Sequence, residues 1–228
     1  MAPDPASPIR FAIGGMIALA VAMGIGRFVY TPILPGMMHE LRLTASDAGL
    51  IASANYLGYL VGAFAAAGGW ASRRERPIML AALAASALLA ALMAAGEGMV
   101  LFLAVRFLAG VASAFVMVFL STIVFSQLAA AGRGDLQAVH FAGVALGISI
   151  SALMTGALVL ADSAWFAGWI WAAVLSAAGF VVAAILIDRG PVVHGAAVRE
   201  PPLPRSGALT RLILAYGLFG FGYIVTAT

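Results

Sequence analysis

What most restricts this chain is a set of long apolar runs separated by short turns that carry arginine. Six runs cover about residues 11–33, 44–68, 78–95, 99–121, 138–160 and 165–187, and a seventh starts near Ala208. Runs of about 20 apolar residues match the thickness of a bilayer's hydrocarbon core. Of the 228 residues, 64% are hydrophobic and only 9% are charged, a surface that no soluble domain of this size could solvate. The expected fold class is therefore an all-α polytopic membrane protein with the lipid bilayer as its immediate partner.

Composition removes several functions. Cysteine is absent, which excludes disulfides, iron–sulfur clusters and thiolate zinc sites. Lysine is absent too, since all 12 basic residues are arginine, and with it goes a retinal Schiff base. The net charge of +3 does not point to nucleic acid, because the arginines are scattered through loops and form no face interleaved with aromatics. No cluster with metal-ligand spacing is present, and no cofactor is implied.

The arginines report topology instead. With a cytoplasmic N-terminus, the inner segments carry Arg10, Arg73, Arg74, Arg76, Arg133, Arg189, Arg199, Arg205 and Arg211, and the outer loops carry Arg42 alone. That is a strong positive-inside bias and predicts a multi-pass protein of the cytoplasmic (inner) membrane. Arg27 and Arg106 remain inside apolar runs. A guanidinium stays charged, and at the centre of a membrane helix it costs on the order of 3 kcal/mol or more unless it meets water or a partner. A short apolar run follows Arg27 before Pro35 and a polar loop around His39 and Glu40, which puts both arginines about 10 Å below the outer surface. No acidic residue is embedded beside them. Two such cations at one depth favour a cavity that attracts anions, provided that their helices are neighbours. The competing reading of Arg27 is a side chain snorkelling to the outer surface.

Along the chain, residues 1–10 form a polar tail. A secretory signal ending at Ala20-Val21-Ala22 is the rival reading, but the apolar run continues past it and Asp4 is unusual in such a leader. Thr44 with Asp47 three residues on predicts a capped helix start. Gly58 and Gly62 form a GxxxG pair in the second run, and Gly143 and Gly147 another in the fifth. Asn55 and Tyr59 share a face near mid-membrane and read equally well as helix–helix glue or as solute contacts. The Ala- and Leu-rich third run reads as a peripheral, lipid-facing helix. Trp165, Trp169 and Trp171 suit an interfacial belt. His140 is the titratable group of suitable pKa near a span, and an interfacial helix-end residue is the favoured reading of it. Residues 188–207 form a Pro- and Arg-rich cytoplasmic linker.

Six spans, a long linker and a seventh span resemble the first half of a major facilitator superfamily transporter. That superfamily's loop between spans two and three reads Gly-x-Leu-Ala-Asp-Arg-x-Gly-Arg. Gly68, Ala71, Arg73 and Arg76 match it, while Ser72 replaces the Asp and Glu75 the second Gly. Arg106 and Gly110 match its fourth-span Arg-x-x-x-Gly. Gly143 and Gly147 match its fifth-span Gly-x-x-x-Gly-Pro, with Ile148 in place of the Pro. GIGRFVYTPILP, LIASANYLGYLVGA and YGLFGFGYIVTAT are similar to the YbfB/YjiJ-type branch.

The resemblance implies two six-helix bundles, each of two inverted three-helix repeats, with a solute held between them. It organises the chain as tail 1–10, bundle 11–187, linker 188–207 and a seventh helix, 208–228, that starts a second bundle. It implies a cavity lined by spans one, four and seven, with Arg27, Tyr30, Asn55, Tyr59 and Arg106 as candidate substrate contacts and Arg73 and Arg76 in a gating loop. Gly58, Gly62, Gly110, Gly143 and Gly147 are the helix-packing positions. Spans two and five would face a missing C-terminal half, so a fragment or truncated product is expected, with both GxxxG faces unpartnered.

The functional expectation is secondary transport of a small solute, with an anion favoured. The alternative is a non-transporting membrane subunit that binds another membrane protein through its GxxxG faces. An intramembrane serine hydrolase is disfavoured, because His140 cannot reach Ser149 or Ser151 along one helix.

Overall fold

The computed structural model describes residues 7–187 and 206–227, with side chains to residue 219. Residues 1–6, the linker 188–205 with Arg189, Arg199 and Arg205, and the Phe221–Tyr223 part of the seventh-span motif lie outside the described side chains. The chain divides into two compact units, within residues 1–193 and 194–228.

The first unit is helical throughout its spans. Span one comprises α1 (Pro8–Leu19), a π-helical segment (Ala20–Ile25), a turn and α2 (Tyr30–Leu41). Then follow α3 (Ala45–Ala66), α4 (Glu75–Ala95), α5 (Met99–Ala130), α6 (Gln137–Leu160) and α7 (Trp165–Leu186). All six spans are long and apolar enough to cross a bilayer. The second unit holds α8 (Gly207–Ala227), whose first turn is capped by Ser206 Oγ accepting from the Leu209 amide (3.1 Å).

Local sequence accounts for the boundaries. Pro8 opens α1, where a missing N–H costs nothing, so the first helix begins inside the expected tail. At α3 the predicted capping box forms, with Asp47 accepting from the Thr44 amide (2.9 Å) and Thr44 Oγ1 accepting from the Asp47 amide (3.2 Å). Span one is longer than expected, because α2 continues through Pro35 and includes His39 and Glu40.

Packing is reciprocal. Span one lies against α6 and α7 as α5 lies against α3 and α4, and α4 also packs on α7. Spans one to three thus interlock with spans four to six, and a three-helix unit reverses direction at each repeat, as an inverted repeat requires. The tightest crossings are made by glycine. A Cβ on Gly58 would strike Phe107 O, and one on Gly62 would crowd Val111 and Ala114. A Cβ on Gly110 would strike Asn55 O, on Gly143 Met16 O, and on Gly147 Ala20 O. Both GxxxG faces are therefore occupied inside the bundle rather than left open. The surfaces that a partner-binding subunit would have used are already covered.

Three further expectations are corrected. The third span is not peripheral: 39% of its apolar window is buried, against 22% for α6 and for α7. Its small residues let α5 and α7 close on it through Met79, Leu83, Ser86 and Met93. Trp165 and Trp169 face inward, and of the three tryptophans only Trp171 is exposed. His140 is fully buried rather than interfacial, because Gly15 of α1 leaves room for its ring.

Candidate functional site

The site is built on a break in span one. Gly26 N bonds Val21 O (2.7 Å) and Phe28 N bonds Met23 O (3.2 Å), the five-residue steps of a π-helix. Pro32 has no N–H for the carbonyl of Phe28, which accepts from Thr31 N instead (3.2 Å). Gly24 lies where span one meets Gly147, too close for a Cβ. Ser151 Oγ bridges that crossing, donating toward Gly24 O (3.2 Å) and Gly147 O (2.8 Å).

In hydrocarbon a broken helix needs donors for its released carbonyls. Arg106 supplies them from α5. Its Nη1 donates to Gly26 O (3.1 Å) and its Nη2 to Arg27 O (3.0 Å), so one guanidinium spans two consecutive carbonyls. Arg106 is 2% exposed, and its Cζ lies 5.0 Å from the Tyr30 ring and 5.9 Å from that of Trp169. Asn55 Nδ2 donates to Arg106 O (3.0 Å), fixing α3 to α5 at the same level. Tyr30 Oη donates to Ala48 O (2.9 Å) and ties α2 to the start of α3.

Arg27 is set differently. It is half-buried, and its Cζ lies 4.4 Å from the Tyr59 ring, 4.8 Å from Tyr56 and 5.7 Å from Phe28. All three separations fall within reach of a cation–π attraction. Tyr56 and Tyr59 are three residues apart on α3 and so point the same way. Among the described residues, Glu40, Asp47, Glu75, Glu97, Asp135 and Asp162 all sit in turns or the end turns of helices, away from this level.

The structure thus brings Arg27, Tyr30, Asn55, Tyr59 and Arg106 into one cluster. The depth argument for Arg27 needs correction, since α2 runs on from it for about 20 Å at 1.5 Å per residue. The two arginines nevertheless share a level, fixed by the bonds from Arg106 to the break. Sequence reasoning missed Tyr56 and Trp169. Tyr56 adjoins Asn55, but the Asn55–Tyr59 face runs through positions four apart, whereas Arg27 straddles positions three apart. Trp169 suits an interfacial belt by sequence, yet it is buried. Its indole Nε1–H points at Met37 Sδ (3.4 Å).

Behind Arg106 is a small enclosed space lined by Gly26, Ser86, Ala90, Met93 and Trp169, with room for about one water molecule. It is too small for a solute.

At the arginine-rich end, Arg73 lies in the turn before α4, and Arg76 lies in the first turn of α4. Arg76 donates to Ile187 O (2.7 Å) and Ala184 O (3.0 Å), and Arg10 donates to Ile185 O, so two cations close the C-terminus of α7. His140 Nε2 lies 3.4 Å from Ser121 Oγ, between the rings of Phe125 and Phe141. The serine it meets is neither Ser149 nor Ser151. Among the described residues, the His140 Nδ1 has no hydrogen-bond partner.

A family model described as uncharacterised MFS-type transporter YbfB matches residues 19–228. No curated protein matches the chain.

Proposed function

The chain belongs to the family of the uncharacterised MFS-type transporter YbfB, and on that premise we propose that it moves a small anionic solute by alternating access. It is a multi-pass membrane protein of a transporter family. The observation that carries the anionic reading is the placing of Arg27 and Arg106 at one level among aromatic rings. Two cations in a low-dielectric setting favour an anion there.

In this reading Arg27 and Tyr59 meet the solute, and Arg106, Tyr30 and Asn55 complete the wall. Arg73 works at the gating loop, beside Arg76 at the foot of α7. The protein sits in the cytoplasmic membrane with its N-terminus inside, a reading supported by the arginine asymmetry of the loops.

The test is uptake of a panel of small organic anions by cells or proteoliposomes containing the protein. Replacing Arg27 by Gln should abolish uptake while the protein still inserts in the membrane. Unchanged uptake by that variant rejects the assignment.

A further inference from the structure

We propose that the arginine-rich end of α7 binds one anionic phospholipid, with the headgroup phosphodiester on Arg10 and Arg76 and the acyl chains along the apolar flank where α1 meets α7. The two arginines come from different helices, Arg10 from the first turn of α1 and Arg76 from the first turn of α4, and they converge on the last turn of α7. Arg10 Nη2 donates to Ile185 O, while Arg76 donates to Ala184 O through Nη2 (3.0 Å) and to Ile187 O through Nε (2.7 Å). A helix C-terminus offers about half a negative charge, so two guanidiniums overcompensate it. Arg73 and Arg74 adjoin them in the chain, and Glu75, whose Oε1 accepts from the Arg73 amide (3.1 Å), is the acidic member of this group. Arg10, Arg73, Arg74 and Arg76 thus set four positive charges against one negative.

Each of the two side chains is held in place and still keeps donors. Both are half-buried, and among the described residues nothing accepts from Nη1 of either. Their guanidiniums sit on the carbonyls of successive residues, Ala184 and Ile185, so a phosphate oxygen there meets two cations that lose little freedom on binding. Arg133 gives the contrast at the same end of the bundle, since Asp135 already answers its charge through two bonds (2.9 and 2.7 Å). The neighbouring surface is what selects a lipid over a free anion. Ile9 and Ile13 of α1 and Val181 and Ile185 of α7 are exposed beside the arginines, on helices that meet where Gly14 approaches Leu186 and Ile187. An apolar flank next to fixed cations fits a molecule that joins acyl chains to a phosphate, and basic pockets between spans take anionic headgroups in this way.

The test uses the full chain in a neutral detergent, with thermal unfolding followed on adding phosphatidylglycerol, phosphatidylcholine, glycerol 3-phosphate or inorganic phosphate. Phosphatidylglycerol is expected to raise the melting temperature by several degrees, and the other three to leave it unchanged. Arg74→Gln, which removes a charge but no bond to α7, should raise the lipid concentration needed about fivefold, and Arg10→Gln combined with Arg76→Gln about twentyfold. Arg133→Gln combined with Asp135→Asn should leave it unchanged. Equal protection by phosphatidylcholine overturns the anionic headgroup, and equal protection by inorganic phosphate or glycerol 3-phosphate overturns the lipid. Protection by none of the four overturns the site, as does a phosphatidylglycerol response that the Arg10→Gln, Arg76→Gln variant keeps in full. If that variant fails to fold for want of its bonds to α7, Arg74→Gln and the comparison among the four additives on the native protein still decide. The outcome is independent of which solute the protein carries.

Discussion

Span one and α5 occupy corresponding places in the two repeats, and each carries an arginine, yet one is broken and the other is not. Span one passes from α-helix to π-helix to turn and back within residues 8–41, whereas α5 runs unbroken over Met99–Ala130. Span one holds Gly24, Gly26 and Pro32 around its arginine, and α5 holds Gly110 alone near its own. The continuous helix makes the broken one possible, since Arg106 projects from a rigid rod onto the two carbonyls that the break exposes. Pseudo-symmetry in position thus coexists with asymmetry in duty, one helix bearing the strain and the other relieving it.

The strongest challenge to the comparison is at the glycine crossings. If the two crossings are equivalent, Gly147→Val and Gly58→Val should be equally severe, each costing about 3 kcal/mol or more, because both new side chains strike backbone. Loss of monodisperse protein in detergent would read this out. Gly156→Ala and Gly49→Ala, on the same two helices, meet nothing within 4 Å and should be harmless or slightly stabilising. A tolerated Gly147→Val beside a lethal Gly58→Val would break the equivalence.

A smaller effect sharpens the difference in duty. Arg106→Gln should lower stability by about 2–4 kcal/mol, since two carbonyls lose charged donors inside the bundle. Arg106→Lys should recover less than half of that, because an ammonium lacks the fork that spans consecutive carbonyls. Thermal unfolding in nanodiscs measures both. Arg27→Gln should move stability much less than Arg106→Gln, and equal losses would erase the distinction. The mildest probe is Tyr30→Phe, which removes the bond to Ala48 O and should cost about 1 kcal/mol by the same assay.

Much of this was legible in the sequence because a bilayer punishes ambiguity. Six spans and the Thr44–Asp47 cap follow from apolar length and capping chemistry. Arg27 and Arg106 stood out because buried guanidinium is costly. What was hidden depends on who faces whom. The glycine pairs announced close approach but not that α5 and span one were the partners. Pro35 looked like a helix end, yet α2 carries it. The third span looked peripheral because small apolar side chains serve lipid and tight packing alike, and Trp169 looked interfacial because indole suits both settings. Tyr56 became part of the Arg27 setting only when the side chain's path across α3 was fixed.

The interlocking of the two repeats has a consequence for biosynthesis. Span one rests mainly on α6 and α7, and its break is capped by α5, all of which are made later. At roughly 5–20 residues per second, on the order of ten seconds separates synthesis of Gly24 from that of Gly147. Until α5 is made, the two carbonyls of the break lack Arg106, and until α6 is made, Gly24 lacks its crossing partner. Neither three-helix repeat can mature alone, so the chain's earliest helix is among the last to reach its final form.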